Sequence, residues 1–161
     1  KPDPVVKKYN PVMIGDSVSV RTVPYFEEAF PDGLIDAQIS RQFYTAKSVF
    51  DPYDDAGVVG KTVVFALGTN GVATDDQIDE LVAEVGEDRQ IYFITARAPE
   101  SWIDATNAAL AAAADRYENV HLIDWSALSA GQESYFDGDG THLTEEGARV
   151  YVDMIKQALE G

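Results

Sequence analysis

The sequence contains no cysteine and only two histidines, and its 12 lysines and arginines face 28 aspartates and glutamates. The lack of thiols removes disulfide frameworks, thiolate zinc sites and cysteine nucleophiles, and leaves the compartment open. The shortage of cations, with a formal net charge of −16, argues against nucleic acid and anionic membrane surfaces, because phosphate binding relies on Lys and Arg. The acidic excess reads as a solvated surface. Apolar runs stop at strand length, well short of the roughly 20 residues a membrane helix needs. No signal peptide is expected within these residues, and Lys1-Pro2-Asp3-Pro4 opens the chain without an initiator methionine. That opening is expected of a domain cut from a longer precursor at a Pro-rich linker.

What is present suffices for one folded unit. A chain of 161 residues that is 45% hydrophobic can bury a core without disulfides or metal. We assign residues 1–10 to a linker and 11–161 to a single domain. Short β-branched apolar runs at 12–14, 34–39, 62–67, 91–95 and 120–123 alternate with longer amphipathic segments, the pattern of a parallel α/β sheet. Near-continuous apolar character at 62–67 and 91–94 predicts strands covered on both faces, and hence an α/β/α sandwich of three layers. Helix starts are marked by a capping-box pattern at Thr74-Asp75-Asp76-Gln77, by Pro99 to Trp102 ahead of an alanine-rich stretch, and by Thr144-Glu145-Glu146. In the last helix Ala148, Tyr151, Val152, Ile155 and Leu159 recur at helical spacing and form one buried face. The stretch 125–143, rich in Gly, Ser and Asp, is the longest expected connection.

Three groups of residues carry chemistry. Gly15-Asp16-Ser17 sets a serine after the first apolar run, and Asp139-Gly140-Thr141-His142 sets an acid and an imidazole three residues apart. A serine hydroxyl needs a base to remove its proton, and an imidazole serves best when a carboxylate fixes its tautomer. Ser17, His142 and Asp139 supply those parts. Gly68-Thr69-Asn70-Gly71 follows the third strand, so Asn70 lies at the carboxyl edge that also carries Ser17, where open α/β sheets bind ligands. An asparagine amide and the Ser17 backbone N–H can face an oxygen that becomes negative during acyl transfer.

These motifs resemble those of the SGNH hydrolase superfamily, the GDSL-like esterases and acyltransferases, over nearly the whole chain. The resemblance implies a five-stranded parallel sheet in the order 2-1-3-4-5, with Ser17 as nucleophile, His142 as base, Asp139 as its orienting acid and Asn70 as an oxyanion donor. The sequence departs from the superfamily where a glycine usually follows the second strand: here stands Ser40, whose backbone N–H or hydroxyl takes the donor's place. Ile14 to Val18, Ser40-Arg41-Gln42, Gly68 to Gly71, Ala96-Arg97-Ala98-Pro99 with Trp102, and Asp139 to Leu143 look like the extracytoplasmic catalytic domain of peptidoglycan O-acetyltransferases. That resemblance implies ping-pong transfer of an acetyl group from a donor, through acyl-Ser17, to a cell-wall glycan hydroxyl, the C6 hydroxyl of N-acetylmuramic acid. It further implies an N-terminal membrane acyltransferase module, a location at the outer face of the bacterial membrane, weak acetyl esterase activity, and no cofactor or metal. A carbohydrate or lipid acetyl esterase is the alternative enzyme, and a non-catalytic glycan-binding module the alternative outside enzymes.

Other marked residues carry less. A calcium loop beginning at Asp137 would need glycine at its sixth position and glutamate at its twelfth, where His142 and Ala148 stand. His121 opens the fifth strand and reads as structural. Asp16 is expected to brace the turn before Ser17. Arg97, past the fourth strand, is a candidate for substrate binding, with a structural ion pair as the alternative. Trp102, Phe43 and Tyr44 are candidates for a groove wall or for the core, and Asp54-Asp55 and Asp75-Asp76 read as solvated loop or helix-start charges.

Overall fold

A computed structural model describes residues 5–161. Five strands, β1 (Val12–Gly15), β2 (Leu34–Ala37), β3 (Thr62–Ala66), β4 (Gln90–Ile94) and β5 (Val120–Ile123), form one sheet in the order β2-β1-β3-β4-β5, every neighbouring pair parallel. The helices are α1 (Ser17–Val20), α2 (Val23–Ala29), α3 (Ala46–Asp55), α4 (Asp75–Val85), α5 (Ile103–Arg116), α6 (Trp125–Leu128) and α7 (Glu145–Glu160). Alternation along each strand sorts the core in two. Val12, Ile14, Val63, Phe65, Ile91 and Phe93 pack with Phe50 of α3, Ile78 of α4 and Leu110 of α5. Met13, Val64 and Ile94 pack on the opposite face with Phe26 of α2, Trp125 of α6 and Tyr151 and Ile155 of α7. Each large side chain removed from water in these layers contributes about 1.5–3 kcal/mol. The three-layer sandwich and its strand order are those the sequence predicts.

Local chemistry explains the best-marked elements. Thr74 Oγ1 accepts the Gln77 N–H at 3.2 Å while Gln77 Oε1 accepts the Thr74 N–H at 3.1 Å, a reciprocal cap at the start of α4. Thr144 Oγ1 accepts the Gly147 N–H at 3.1 Å, and Glu145 and Glu146 in the first turn complement the positive end of α7. Ala148, Tyr151, Val152 and Ile155 form the buried face, with Leu159 at its margin.

Elsewhere the structure departs from the sequence expectations. Thr22 and Thr45 stand at the N-caps of α2 and α3 with helical backbone angles and make no side-chain cap, although Pro24 falls in the first turn of α2, and α3 carries Pro52 in its interior. The second strand ends at Ala37 because the chain turns away after Gln38, leaving Ile39 69% exposed. The long connection is not irregular throughout: Asp124 Oδ1 accepts the Ala127 N–H and caps α6, and Trp125 packs against Tyr135, Phe136 and Tyr151. Residues 1–4 of the expected linker lie outside the described residues, whereas Tyr9 already bonds to Val58 and Gly60 on the domain.

Register positions the site. Gly15 pairs with Ala37 on one side and Ala66 on the other, so β1, β2 and β3 end level and their following loops share one edge. At the far end of the catalytic loop, Gly147 lets α7 approach the chain before it: a Cβ there would lie 2.0 Å from Tyr135 O. Gly147→Ala is therefore expected to lower the unfolding free energy by about 1–3 kcal/mol, measured by urea denaturation, as α7 shifts to relieve the overlap.

Candidate active site

The site begins with the turn that follows β1. Asp16, 1% exposed, caps α1: its Oδ1 accepts the Val18 N–H at 3.1 Å and its Oδ2 accepts the Thr69 N–H at 3.3 Å. The Asp16 N–H donates to Ala66 O at 3.1 Å. The turn after β1 is thereby tied to the loop after β3, as expected of a bracing residue but across a longer span than the local turn. Gly15 admits the chain at close quarters, since a Cβ there would lie 2.3 Å from Ser19 Oγ. Ser17 follows as the first residue of α1, where backbone N–H groups lack intrahelical acceptors.

A second loop brings the acid and the imidazole. Phe136 and Leu143 bridge antiparallel, the Asp137 N–H donates to His142 O at 2.8 Å, and Gly140 takes a positive φ of 69° at the tip. Within this loop Asp139 Oδ1 accepts the N–H groups of Thr141 and His142, both at 2.9 Å. The carboxylate is thus fixed, and its Oδ2 receives His142 Nδ1–H at 2.5 Å. Because a carboxylate can only accept, Nδ1 carries the proton and Nε2 presents its lone pair to Ser17 Oγ, 3.0 Å away. The arrangement can draw a proton from the serine hydroxyl and hold the resulting imidazolium against a negative charge.

The hydrogen bond from the His142 ring, followed by the Thr141 N–H, holds the Asp139 carboxyl at about 2, so it stays ionised throughout the neutral range. Burial pushes Asp16 up to about 6, against the pull of the Val18 and Thr69 N–H groups and of His142. Burial likewise raises Tyr151, which packs beneath Asp16.

Ser17, Ser40, Asn70, Asp139 and His142 line one cavity of about 430 Å³, together with Gln42, Thr69, Glu100, Trp102 and Thr141. Ser40 holds a positive φ of 65°. Asn70 Nδ2 donates one hydrogen to Arg41 O at 3.1 Å, which orients the amide and leaves its second hydrogen. Trp102 belongs to the cavity wall, and its Nε1–H donates to Thr69 O at 3.0 Å. Arg97 is not brought to this cavity. It lines a neighbouring one of about 650 Å³ with Phe136, Asp137 and Asp139, and its guanidinium donates to Ser129 Oγ and Ser126 O instead of pairing with an acid.

Phe43 takes the core alternative, Tyr44 is exposed and outside the cavity wall, and His121 is structural as expected, bonding Gln90 and packing against Tyr92 at the β5 edge. Asp54 is not simply solvated, for it pairs with Arg89 at 2.8 Å. Gln42, Glu100 and Thr141 enter the cavity wall although the sequence assigned them no role; the signal available was that Gln42 and Thr141 lie inside the Ser40 and His142 motifs and Glu100 follows Pro99.

Fold and site together define a class: the chain has an α/β fold of the SGNH hydrolase type, superposing on a putative SGNH hydrolase of Slackia heliotrinireducens with a TM-score of 0.74 at 15% identity over 95% of this chain and 100% of that one, and a serine, histidine and aspartate meet at the carboxyl edge of its sheet. More particularly, it is homologous to part of the O-acetyltransferase OatA of Staphylococcus aureus, with 37% identity over 156 residues, covering 96% of this chain and 26% of that protein. The peptidoglycan O-acetyltransferase OatA of Listeria monocytogenes is 38% identical over 148 residues, covering 92% of this chain and 24% of that protein. The C-terminal catalytic domain of Streptococcus pneumoniae peptidoglycan O-acetyltransferase A superposes with a TM-score of 0.86 at 24% identity, covering 96% of this chain and 94% of that one. No protein-family model matches the chain. The chain spans about a quarter of the length of the OatA relatives. Among the described residues no helix is long and apolar enough to cross a membrane.

The raised Asp16 pKa has a definite sign. A buried carboxyl whose folded pKa of about 6 exceeds its ordinary value of 3.8 favours folding in its neutral form, and this contribution is lost as pH rises through 6. Raising the pH from 4 to 7 is therefore expected to lower the unfolding free energy of the wild type relative to Asp16→Asn by up to about 3 kcal/mol, read from paired denaturant titrations.

Proposed function

We propose that this domain is a serine-dependent O-acetyltransferase that carries an acetyl group through acyl-Ser17 to a hydroxyl of cell-wall glycan. The observation that carries the reading is the unbroken relay from Asp139 through His142 to Ser17, opening into a cavity that Asn70 and Ser40 also line.

In the first half-reaction Ser17 Oγ attacks the acetyl carbonyl as His142 Nε2 takes its proton. Negative charge gathers on the carbonyl oxygen, where the Asn70 amide and the Ser17 and Ser40 backbone N–H groups are assigned as donors. Collapse releases the donor's leaving group, which receives the proton from His142, and leaves acetyl-Ser17. In the second half-reaction a sugar hydroxyl gives its proton to His142 and attacks the ester, and the proton returns to Ser17 as the acetyl group departs. Asp139 orients the ring and stabilises its cationic form. Arg97 is assigned to substrate contact in the cavity beside the loop.

The named activity of the Listeria and Streptococcus relatives supports peptidoglycan as the acceptor polymer, and the proposed position is the C6 hydroxyl of N-acetylmuramic acid. The relatives are about four times longer, which supports one domain of a larger protein; an N-terminal membrane acyltransferase module and a place at the extracytoplasmic face are proposed on the family resemblance. Acetyl ester hydrolysis is the second reading. His142 and Asp139 have side chains 46% and 48% exposed, so water reaches the acyl-enzyme and competes with the sugar.

Incubation with an activated acetyl ester and wall-type oligosaccharides, followed by mass analysis, is expected to yield acetylated sugar as well as acetate; acetate alone would assign the domain to the esterases. Ser17→Ala and His142→Ala are expected to lower kcat at least about 10³-fold, and Asp139→Ala by less. Asn70→Ala is expected to cost about 10²- to 10³-fold in kcat, as for other oxyanion donors.

A further inference from the structure

Arg41 sits between Ser40 and Gln42, which both line the Ser17 cavity, yet its own side chain turns beneath the loop and is 8% exposed. A buried guanidinium must find acceptors for its hydrogens, and this one finds them on three segments. Nη1 donates to Asp36 O at 2.8 Å, at the end of β2, and to Gly15 O at 3.2 Å, two residues before Ser17. Nη2 donates to Asp36 Oδ1 at 2.9 Å and to Gln38 Oε1 at 3.2 Å. Behind it the Tyr53 hydroxyl donates to Asp36 Oδ2 at 2.6 Å and braces the carboxylate. The Arg41 carbonyl in turn accepts from Asn70 Nδ2. A single residue therefore touches the strand that delivers Ser17, the loop that carries Ser40 and the amide of Asn70.

This connection answers a local problem. Ser40 holds a left-handed φ of 65° without being glycine, a conformation that persists only when its surroundings fix it. The planar guanidinium, with five donors in a rigid fork, can grip acceptors on two strands at once, whereas an ammonium offers a single compact centre. We infer that Arg41 is a positioning residue for acetyl transfer: it holds the Ser40 backbone and the Asn70 amide in register with Ser17, so that the donors meet the developing oxyanion already aligned. Its side chain does not line the cavity, so it acts through its neighbours and contacts no reacting atom. The inference rests on the Ser17 reading given above.

The test is steady-state turnover of an activated acetyl ester by Arg41→Lys, expressed per folded protein after a thermal unfolding scan. The expected result is a kcat lowered about 10- to 100-fold with KM within about twofold, since small misplacement of catalytic donors costs rate and not ground-state binding. The double variant Arg41→Lys/Asn70→Ala is expected to lose less than the product of the two single losses, because Asn70 is one of the two donors through which Arg41 acts. A kcat for Arg41→Lys within twofold of wild type, or losses that multiply in the double variant, would overturn the inference. Should Arg41→Lys fail to fold, Tyr53→Phe removes the outer brace at less cost to the fold. A kcat reduced several-fold at constant KM then supports the inference, and an unchanged kcat overturns it. Ser17→Ala run alongside separates the two layers. Undiminished turnover there refutes the nucleophile itself, whereas an inactive Ser17→Ala beside a fully active Arg41→Lys refutes the positioning role alone.

Discussion

Three parallel strands that end level are the constraint on which the site depends. Gly15 stands opposite both Ala37 and Ala66, so the chain leaves β1, β2 and β3 at the same edge and must turn there three times within a small space. Backbone polar groups released at such turns need partners. Asp16 supplies them between the first and third turns, accepting from Val18 and Thr69, and Arg41 supplies them between the first and second. The polar side chains flanking Ser17 are thus required by the fold itself, and the cavity they leave is the place where charge can develop among fixed donors.

The two ends of the site are held with different stiffness. Ser17 and Asn70 follow β1 and β3, whose side chains are buried on both faces, Ser40 follows the half-buried edge strand β2, and the three turns are interlocked through Asp16 and Arg41. Asp139 and His142 ride on a loop closed by the Phe136 and Leu143 bridge and anchored beneath by Trp125, Tyr135 and Gly147. Their side chains are nearly half exposed. A rigid wall facing an open acid and base fits the proposed transfer to a large polymer, because the proton carrier would meet hydroxyls that arrive from solvent. The same openness admits water, so the proposed transfer and hydrolysis share this geometry.

Much of this was legible in the residues. Alternating apolar runs announced the parallel sheet, Thr74 and Thr144 announced their helices through capping chemistry, and the spacing of Asp139 and His142 announced an acid beside an imidazole. What stayed hidden had physical causes. α2 and α3 begin after Thr22 and Thr45 without a side-chain cap, and Pro52 inside α3 reads as a helix breaker, so their local start signals were weak. Trp125 looked like part of an irregular connection because its burial depends on Tyr151, far along the chain. Arg97 and Arg41 looked alike as cations in motif-like words, yet one lines a neighbouring cavity and the other is buried under the loop that carries Ser40.

Residue type and local spacing by themselves determined the class of fold, the identity of the serine, imidazole and acid, and the shortage of cations that sets nucleic acid aside, because propensity, periodicity and charge are local properties of the chain. Only the tertiary structure decided that Ser17 and His142, 125 residues apart, lie within hydrogen-bond reach, that Asn70 is oriented by Arg41 O, and that Arg41 links the loops. Those outcomes depend on strand register and on which buried polar groups find partners, and both are set only when distant segments pack.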